Sequence, residues 1–271
     1  MAPYKLYPSK PIHDLREMLA DSAKRFPMRP AFLQKEGGFY HAYTYIRLKM
    51  DVDSMGEALC ARGFGGARVI VIGENSYPWA LSYLTVVTGL GVVVPVDKEI
   101  PAEEIANIAR ISEASLVLYS AKYEEKVNAV DPSVARICFD EIPDLIEEGH
   151  DLLSEGNRAF SERLIDVDTM AALIFTSGTT GVSKGVMLSQ RNLCHTLENL
   201  AKMVHITPED RALSVLPLHH VYECTCGFLY PLSQGASVAF SEGVRYIMKN
   251  LKEVSPTKML CVPLLIETMY R

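Results

Sequence analysis

Five short apolar runs rich in β-branched residues constrain this chain more than any other feature: Val69–Ile72, Val92–Val96, Leu116–Tyr119, Ile137–Phe139 and Ala171–Phe175. Each reads as continuous rather than alternating hydrophobicity, the pattern of a strand covered on both faces. Helical patterns separate the first four, beginning near Ser76, at Pro101 and near Ala121, and proline is favoured at a first helical position. Strand, helix, strand at this spacing predicts parallel βαβ units and an α/β fold with a doubly wound sheet. The chain has 271 residues, of which 48% are hydrophobic, so one large domain or two modest ones can bury a core. The stretch from Asp140 to Asp168 is more acidic and less regular, and reads as a helix plus a surface excursion before the sheet resumes.

The flanks carry other patterns. Apolar residues at Ile12, Leu15, Met18, Leu19 and Phe26 keep a helical period that Pro27 and Pro30 end. Ala31 to Tyr43 predicts a hairpin around Gly37-Gly38, and Thr44 is placed to cap a helix running to Gly63. Beyond the fifth run, Ser189–Val204 predicts a helix, Ala212–Leu216 a strand, Ser237–Phe240 and Lys258–Val262 further strands, and Val244–Val254 a helix. A last helical pattern runs from Leu264 to Arg271.

Charge and cysteine content remove several function classes. With 27 basic and 33 acidic residues the net charge is −6, which gives no electrostatic footprint for nucleic acid or an anionic membrane. Six cysteines without a C-x-x-C pair read as buried, reduced thiols rather than a disulfide scaffold, with zinc as the minor alternative. The N-terminus has no apolar core of a secretory signal, and the long uncharged stretch Ser76–Val96 is interrupted by Pro78, Gly89, Gly91 and Pro95. A cytoplasmic protein without a transmembrane segment is the expectation.

The chemistry concentrates in Thr176-Ser177-Gly178-Thr179-Thr180-Gly181-Val182-Ser183-Lys184-Gly185, directly after the fifth apolar run. A Gly/Ser/Thr-rich loop leaving the carboxyl end of a buried strand presents backbone N–H groups and hydroxyls to phosphate oxygens, with Lys184 as a point charge. It is not a Walker A loop, because Ser183 precedes the lysine and Gly185 follows it, where that pattern needs Gly-Lys-Ser/Thr.

These ten residues resemble the signature of the AMP-forming adenylating enzymes: acyl-CoA synthetases, luciferases and peptide-synthetase adenylation domains. Ser183 stands where that signature usually has proline, a change of loop stiffness more than of phosphate chemistry. Val186–Leu193, Gly91–Asp97 and Leu216-Pro217-Leu218-His219-His220-Val221-Tyr222-Glu223 resemble further motifs of the same family, in the same order. The Val-Tyr-Glu after His220, with Pro263 and Glu267, leans towards long-chain fatty acid–CoA ligases.

The resemblance implies an acyl-CoA-synthetase-like N-terminal domain. It would comprise a flavodoxin-like subdomain over residues 65–200 that contains the phosphate loop, an incomplete second subdomain from 1–64 and 201–271, and no C-terminal lid domain. It implies ATP and Mg²⁺, with CoA as co-substrate. Thr176, Ser177, Gly178, Thr179, Thr180, Gly181 and Lys184 would hold the β- and γ-phosphates, and Thr176 would help ligate the metal. His220 would orient the acyl carboxylate near the α-phosphate, with Lys184 sharing the catalytic role, and Tyr222 and Glu223 would line or support an acyl pocket. His219 falls at a variable position of the motif and receives no role.

The family's adenine segment, ribose-binding Asp, hinge and C-terminal catalytic Lys are not found before Arg271. The expectation is therefore an N-terminal fragment of a fatty acid–CoA ligase, inactive by itself and self-associating through an exposed apolar face. The alternatives are an adenylation enzyme that loads a carrier-protein thiol and a non-catalytic nucleotide-binding module. Asp51-x-Asp53 and Asp166-x-Asp168 read as solvated charge, and His195 and His205 as structural or surface residues.

Overall fold

The computed structural model describes residues 5–176 and 184–270, and the chain divides into two compact units. One consists of Met1–Leu48 with Arg191–Arg271, the other of Lys49–Gln190. The first begins with the helix Leu15–Arg25, whose N-cap Asp14 accepts the Glu17 N–H at 2.8 Å. A hairpin follows, β1 (Pro30–Glu36) and β2 (Phe39–Thr44), turning at Gly37 and Gly38, both at positive φ.

The division between the units falls within the helix Tyr45–Ala61 rather than after it, and side chains on that helix show why. Tyr45, fully buried, donates its hydroxyl to Ala236 O at 2.6 Å and Leu232 O at 3.2 Å in the first unit. From Lys49 onward the ties belong to the second unit. Asp51 accepts the Tyr77 hydroxyl at 2.7 Å, and Glu57 accepts the N–H groups of Ala159 at 2.9 Å and Phe160 at 3.0 Å. Asp51 is therefore buried and bonded, not the solvated charge its helical setting predicts, while Asp53 pairs with Lys49 nearer the surface.

The second unit holds a six-stranded sheet of β3 (Arg68–Ile72), β4 (Val92–Val96), β5 (Leu116–Tyr119), β6 (Ala135–Cys138), β7 (Met170–Thr176) and β8 (Lys184–Ser189). Their order is β6-β5-β3-β4-β7-β8, parallel throughout except for the antiparallel pair β7–β8. The helix Ala102–Ser112 covers this sheet with Ile105, Ile108 and Ala109, packed among Ile70, Ile72, Val94, Val96 and Val117. Full burial of such an aliphatic side chain contributes about 1.5–3 kcal/mol.

The stretch Ser76–Val96 is the helix Tyr77–Thr85, a π-helical turn Val86–Leu90 and β4. No helix among the described residues is long and apolar enough to cross a membrane. Gly91 closes this stretch against another segment. Its N–H donates to Val86 O at 3.0 Å, and a Cβ there would lie 2.0 Å from Ala67 O. Only glycine allows the chain to pass so close.

The acidic excursion before β7 is anchored as well as exposed. Phe160 is 1% exposed and lies over Gly56, where a Cβ would meet its ring at 2.5 Å. Glu57 holds the two backbone N–H groups at that corner.

Returning to the first unit, the chain forms the helix Gln190–Met203, then β9 (Arg211–Ser214), β10 (Ser237–Phe240) and the short β11 (Lys258–Met259). These join the N-terminal hairpin in a five-stranded sheet ordered β11-β9-β10-β1-β2. β1 pairs in parallel with β10, Phe32 opposite Val238 and Leu33 opposite Ala239. Phe32 is fully buried, stacked on Phe240 at 5.3 Å and against Phe228 at 5.8 Å. The segment between β9 and β10, which carries no sequence expectation beyond the His motif, contains a π-helical stretch Glu223–Leu229 running into a short α-turn Tyr230–Ser233.

All six cysteines are free. Cys194 and Cys224 are buried, whereas Cys60, Cys138, Cys226 and Cys261 are partly exposed, so the expectation of buried thiols holds for two of the six. Burial pushes the Cys194 thiol up to about 12.

Candidate functional site

The candidate phosphate-binding residues lie at the carboxyl end of β7, the end of an open parallel sheet where ligands bind. β7 lies between β4 and β8. Pro95 of β4 has no N–H to offer, and the β4–β7 ladder registers at Val93 opposite Ala172. β8 then turns back antiparallel to β7, with Phe175 opposite Gly185 and Thr176 opposite Lys184. In such a register the two side chains point to one face of the hairpin, so a hydroxyl and an ammonium stand side by side at its base. Both residues are exposed. Ser177, Gly178, Thr179, Thr180 and Gly181 lie outside the described residues.

Gly185 has a packing reason beside the motif. A Cβ there would fall 2.9 Å from Leu173 Cδ1, so any larger residue would have to shift that leucine tip. The strand Lys184–Ser189 itself is not anticipated from the sequence. Val186 and Met187 are 45% and 71% exposed, so β8 lacks the buried run that marks the other strands.

His220 belongs to the other unit and ends the turn after β9. Its N–H donates to Pro217 O at 3.1 Å, and its carbonyl accepts the Cys224 N–H at 2.9 Å, so it stands where the following helix begins. Leu218, 1% exposed, roots the turn, while the His220 side chain is exposed. Its ring lies 4.3 Å from that of His219, tilted by 40°. His219, given no role from the sequence, is thus the imidazole's immediate neighbour; two adjacent histidines were the available signal.

Tyr222, 52% exposed, lines an apolar cavity of about 280 Å³ with Leu200, Val204, Gly227, Tyr230 and Met259. Glu223 does not line it. Its side chain turns inward, 1% exposed, and accepts the Ser214 hydroxyl at 2.6 Å. Burial pushes its carboxyl up to about 7, with the Ser214 hydrogen bond pulling the other way.

The remaining candidates are local structure. Asp166 accepts the Asp168 N–H at 3.0 Å in a turn ahead of β7. His195 is on the surface, and exposed His205 stacks on Tyr7 at 5.0 Å.

Comparison with known proteins places these elements in a family. The model of the AMP-binding enzyme family matches residues 19–271. A chloroplastic long-chain-fatty-acid–[acyl-carrier-protein] ligase of Arabidopsis thaliana is 29% identical over 254 residues, which cover 84% of this chain and 35% of that protein. A CoA ligase of Gibberella moniliformis is 33% identical over 188 residues, covering 67% and 30% of the two chains. The long-chain-fatty-acid–CoA ligase 5 of Rattus norvegicus is 26% identical over 261 residues, covering 85% and 38%. The chain thus spans about a third of the length of these relatives.

Among solved structures, the inhibitor-bound N-terminal domain of FACL13 from Mycobacterium tuberculosis superposes with a TM-score of 0.83 at 20% identity, covering 96% of this chain and 65% of that one. A fatty acyl-adenylate ligase from L. pneumophila, in complex with acyl adenylate and pyrophosphate, gives 0.77 at 20% identity, covering 92% and 44%.

Proposed function

Because the chain belongs to the AMP-binding enzyme family, we propose that it contributes the phosphate-gripping and carboxylate-orienting parts of an ATP-dependent ligase that activates a fatty acid as its acyl-adenylate and passes it to CoA. In this reaction a carboxylate oxygen attacks the α-phosphorus of ATP, the bond to the β-phosphate bridge breaks, and pyrophosphate leaves. The acyl-adenylate then gives its acyl group to the CoA thiol and releases AMP. Little covalent work falls to the protein; aligning two anions and spreading their charge is the task.

The supporting observation is the pairing of Thr176 with Lys184 at the base of the hairpin that carries the ten-residue motif. The lysine supplies a fixed positive charge for the β- and γ-phosphates, together with the hydroxyls and backbone of Ser177, Gly178, Thr179, Thr180 and Gly181. The Thr176 hydroxyl is a hard oxygen donor of the kind Mg²⁺ takes beside phosphate oxygens, so the residue suits that ion. When bound, Mg²⁺ would neutralise charge on the departing pyrophosphate. His220, exposed on its turn and held by backbone bonds on both sides, would orient the acyl carboxylate. The cavity beside Tyr222, mostly apolar with Lys258 in its lining, suits an alkyl chain.

A second acceptor has one observation in its favour, the similarity to an acyl-carrier-protein ligase. Supplying CoA or acyl carrier protein to the acyl-adenylate and weighing the thioester formed separates the two. Self-association through exposed apolar residues of the incomplete second subdomain, such as Leu264 and Ile266, belongs to the same proposal, and sedimentation as a monomer at every concentration would count against it.

The test of the central reading is calorimetric titration with Mg·ATP. Binding in the micromolar to low-millimolar range is expected, weakened at least about tenfold by Lys184→Ala, on the scale of one lost charge-assisted contact. A folded chain that takes up no nucleotide, or binds it equally well without Lys184, overturns the assignment of the phosphate site.

A further inference from the structure

We infer that Glu223 is a positioning residue, which holds the turn bearing His220 to the end of β9; the inference rests on the reading of His220 as the group that meets the acyl carboxylate. Between Ser214, the last residue of β9, and Glu223 the chain leaves the sheet, turns at residues 217–220 and enters the helical stretch. The hydrogen bond from Ser214 Oγ to Glu223 Oε1, 2.6 Å long and entirely buried, closes that excursion at its neck. Ser214 is seated in turn, its carbonyl accepting the Ser241 N–H at 3.0 Å just past β10. His220 lies three residues before Glu223, about one helical turn, and its own carbonyl accepts the N–H of Cys224. Moving the Glu223 carboxyl therefore moves the start of the helix on which the imidazole stands.

A packing role alone does not account for this side chain. Glu223 Oε2 is buried and has no hydrogen-bond partner, a costly state for a carboxylate and one that leucine or methionine would avoid. The chain also makes room for the group. A Cβ on Gly227 would lie 2.6–2.7 Å from the carboxyl atoms, so a larger residue one turn further along would have to displace the carboxyl from this position. Gly227 also lines the apolar cavity, which puts the clamp immediately behind the wall proposed to meet the alkyl chain.

The shift of the carboxyl to about 7 agrees with this geometry. Its charge acts on Cys226 of its own helix and on Cys261 ahead of the helix Pro263–Tyr270; both thiols are raised by burial and then by the charge of Glu223. His219 and His220 stand on the turn it closes. Burial and the Ser214 hydroxyl are what act on the carboxyl itself, so no cation holds it ionised. Below pH 7 it carries its proton and remains buried. Above that, the charge must find water or a counter-charge, and the clamp loosens as the pH rises.

The test reads the His220 imidazole directly by NMR in the full chain without nucleotide, from about pH 5.5 to about 8.5, the range that brackets histidine titration. His220→Asn assigns the resonance. In the wild type, the His220 resonance should show an inflection near pH 7 that follows the Glu223 carboxyl. Glu223→Gln, which keeps a neutral acceptor for Ser214, should retain the low-pH position and lose that inflection. Glu223→Ala should displace and broaden the resonance. Ser214→Ala removes the same bond while leaving the carboxyl, and should displace it too, which keeps the test open if Glu223→Ala does not fold.

A His220 resonance unchanged in folded Glu223→Ala or Ser214→Ala overturns the inference. So does a Glu223→Gln variant that behaves like the alanine. Failure of Mg·ATP binding would instead sink the functional reading, because the imidazole is observed here without nucleotide.

Discussion

The two sheets of this chain are assembled in opposite ways. The six-stranded sheet comes from one continuous stretch, Lys49–Gln190, and its parallel strands lie next to partners separated by one to three helical connections. The five-stranded sheet takes β1 and β2 from before that stretch and β9, β10 and β11 from after it. Its central pairing, β1 on β10, joins residues such as Leu33 and Ala239. Local patterns suffice to build the first; the second depends on contacts between distant segments.

Substitutions that cripple one sheet while sparing the other would sharpen that contrast, and Trp79 gives it an optical handle. The only tryptophan, 1% exposed and stacked on Tyr83 at 5.5 Å, reports on the continuous unit, whereas far-ultraviolet circular dichroism sees both. The largest effect is expected from Phe32→Ala in the composite sheet, about 3–5 kcal/mol for an aromatic lost from a core. In urea the dichroism transition should split, with an early phase in which Trp79 fluorescence is unchanged. Simultaneous loss of both signals would break the contrast by showing one cooperative unit.

Next comes Gly91→Ala in the continuous sheet, with a cost of about 3 kcal/mol at the upper end for overpacking, because the new methyl meets backbone rather than a movable side chain. Trp79 fluorescence should follow this loss. Tyr45→Phe is the smallest, about 1–2 kcal/mol for removing the donor to Ala236 O. It should accelerate amide exchange around Ala236 while the amides of β3 and β4 keep their protection.

The same division decided what could be read from residues alone. The runs Val69–Ile72, Val92–Val96 and Leu116–Tyr119 match β3 within a residue and β4 and β5 in full, because continuous burial leaves a continuous apolar signal. β8 escapes, since an antiparallel edge strand with exposed Val186 and Met187 has neither alternation nor a buried run. The helical stretch from Glu223 to Ser233 escapes because its wide turns, Gly227 and Pro231 break the 3.6-residue period.

The burial of Asp51 escapes the sequence for a related reason. Nothing local reveals that Tyr77 waits for it 26 residues away. At the candidate site, Thr176 and Lys184 are legible through their motif, and their side-by-side register follows from a hairpin that the motif does not announce. The bond between Glu223 and Ser214 left one trace in the sequence, a glycine four residues after a glutamate in an otherwise bulky segment.

The parallel pairing of β1 with β10 also sets an order of events as the chain is made. Tyr40 and its acceptor Phe240 are 200 residues apart, a distance that a ribosome adding about 5–20 residues per second covers in roughly 10–40 s. Throughout that interval the first hairpin has synthesised neither its parallel neighbour nor the Ala236 carbonyl that will receive Tyr45, while the whole of Lys49–Gln190 emerges and can close on itself. The earliest strands to be made are therefore among the last to be enclosed, and the β1 edge is the place where a chaperone or an unwanted strand would find this protein during its synthesis.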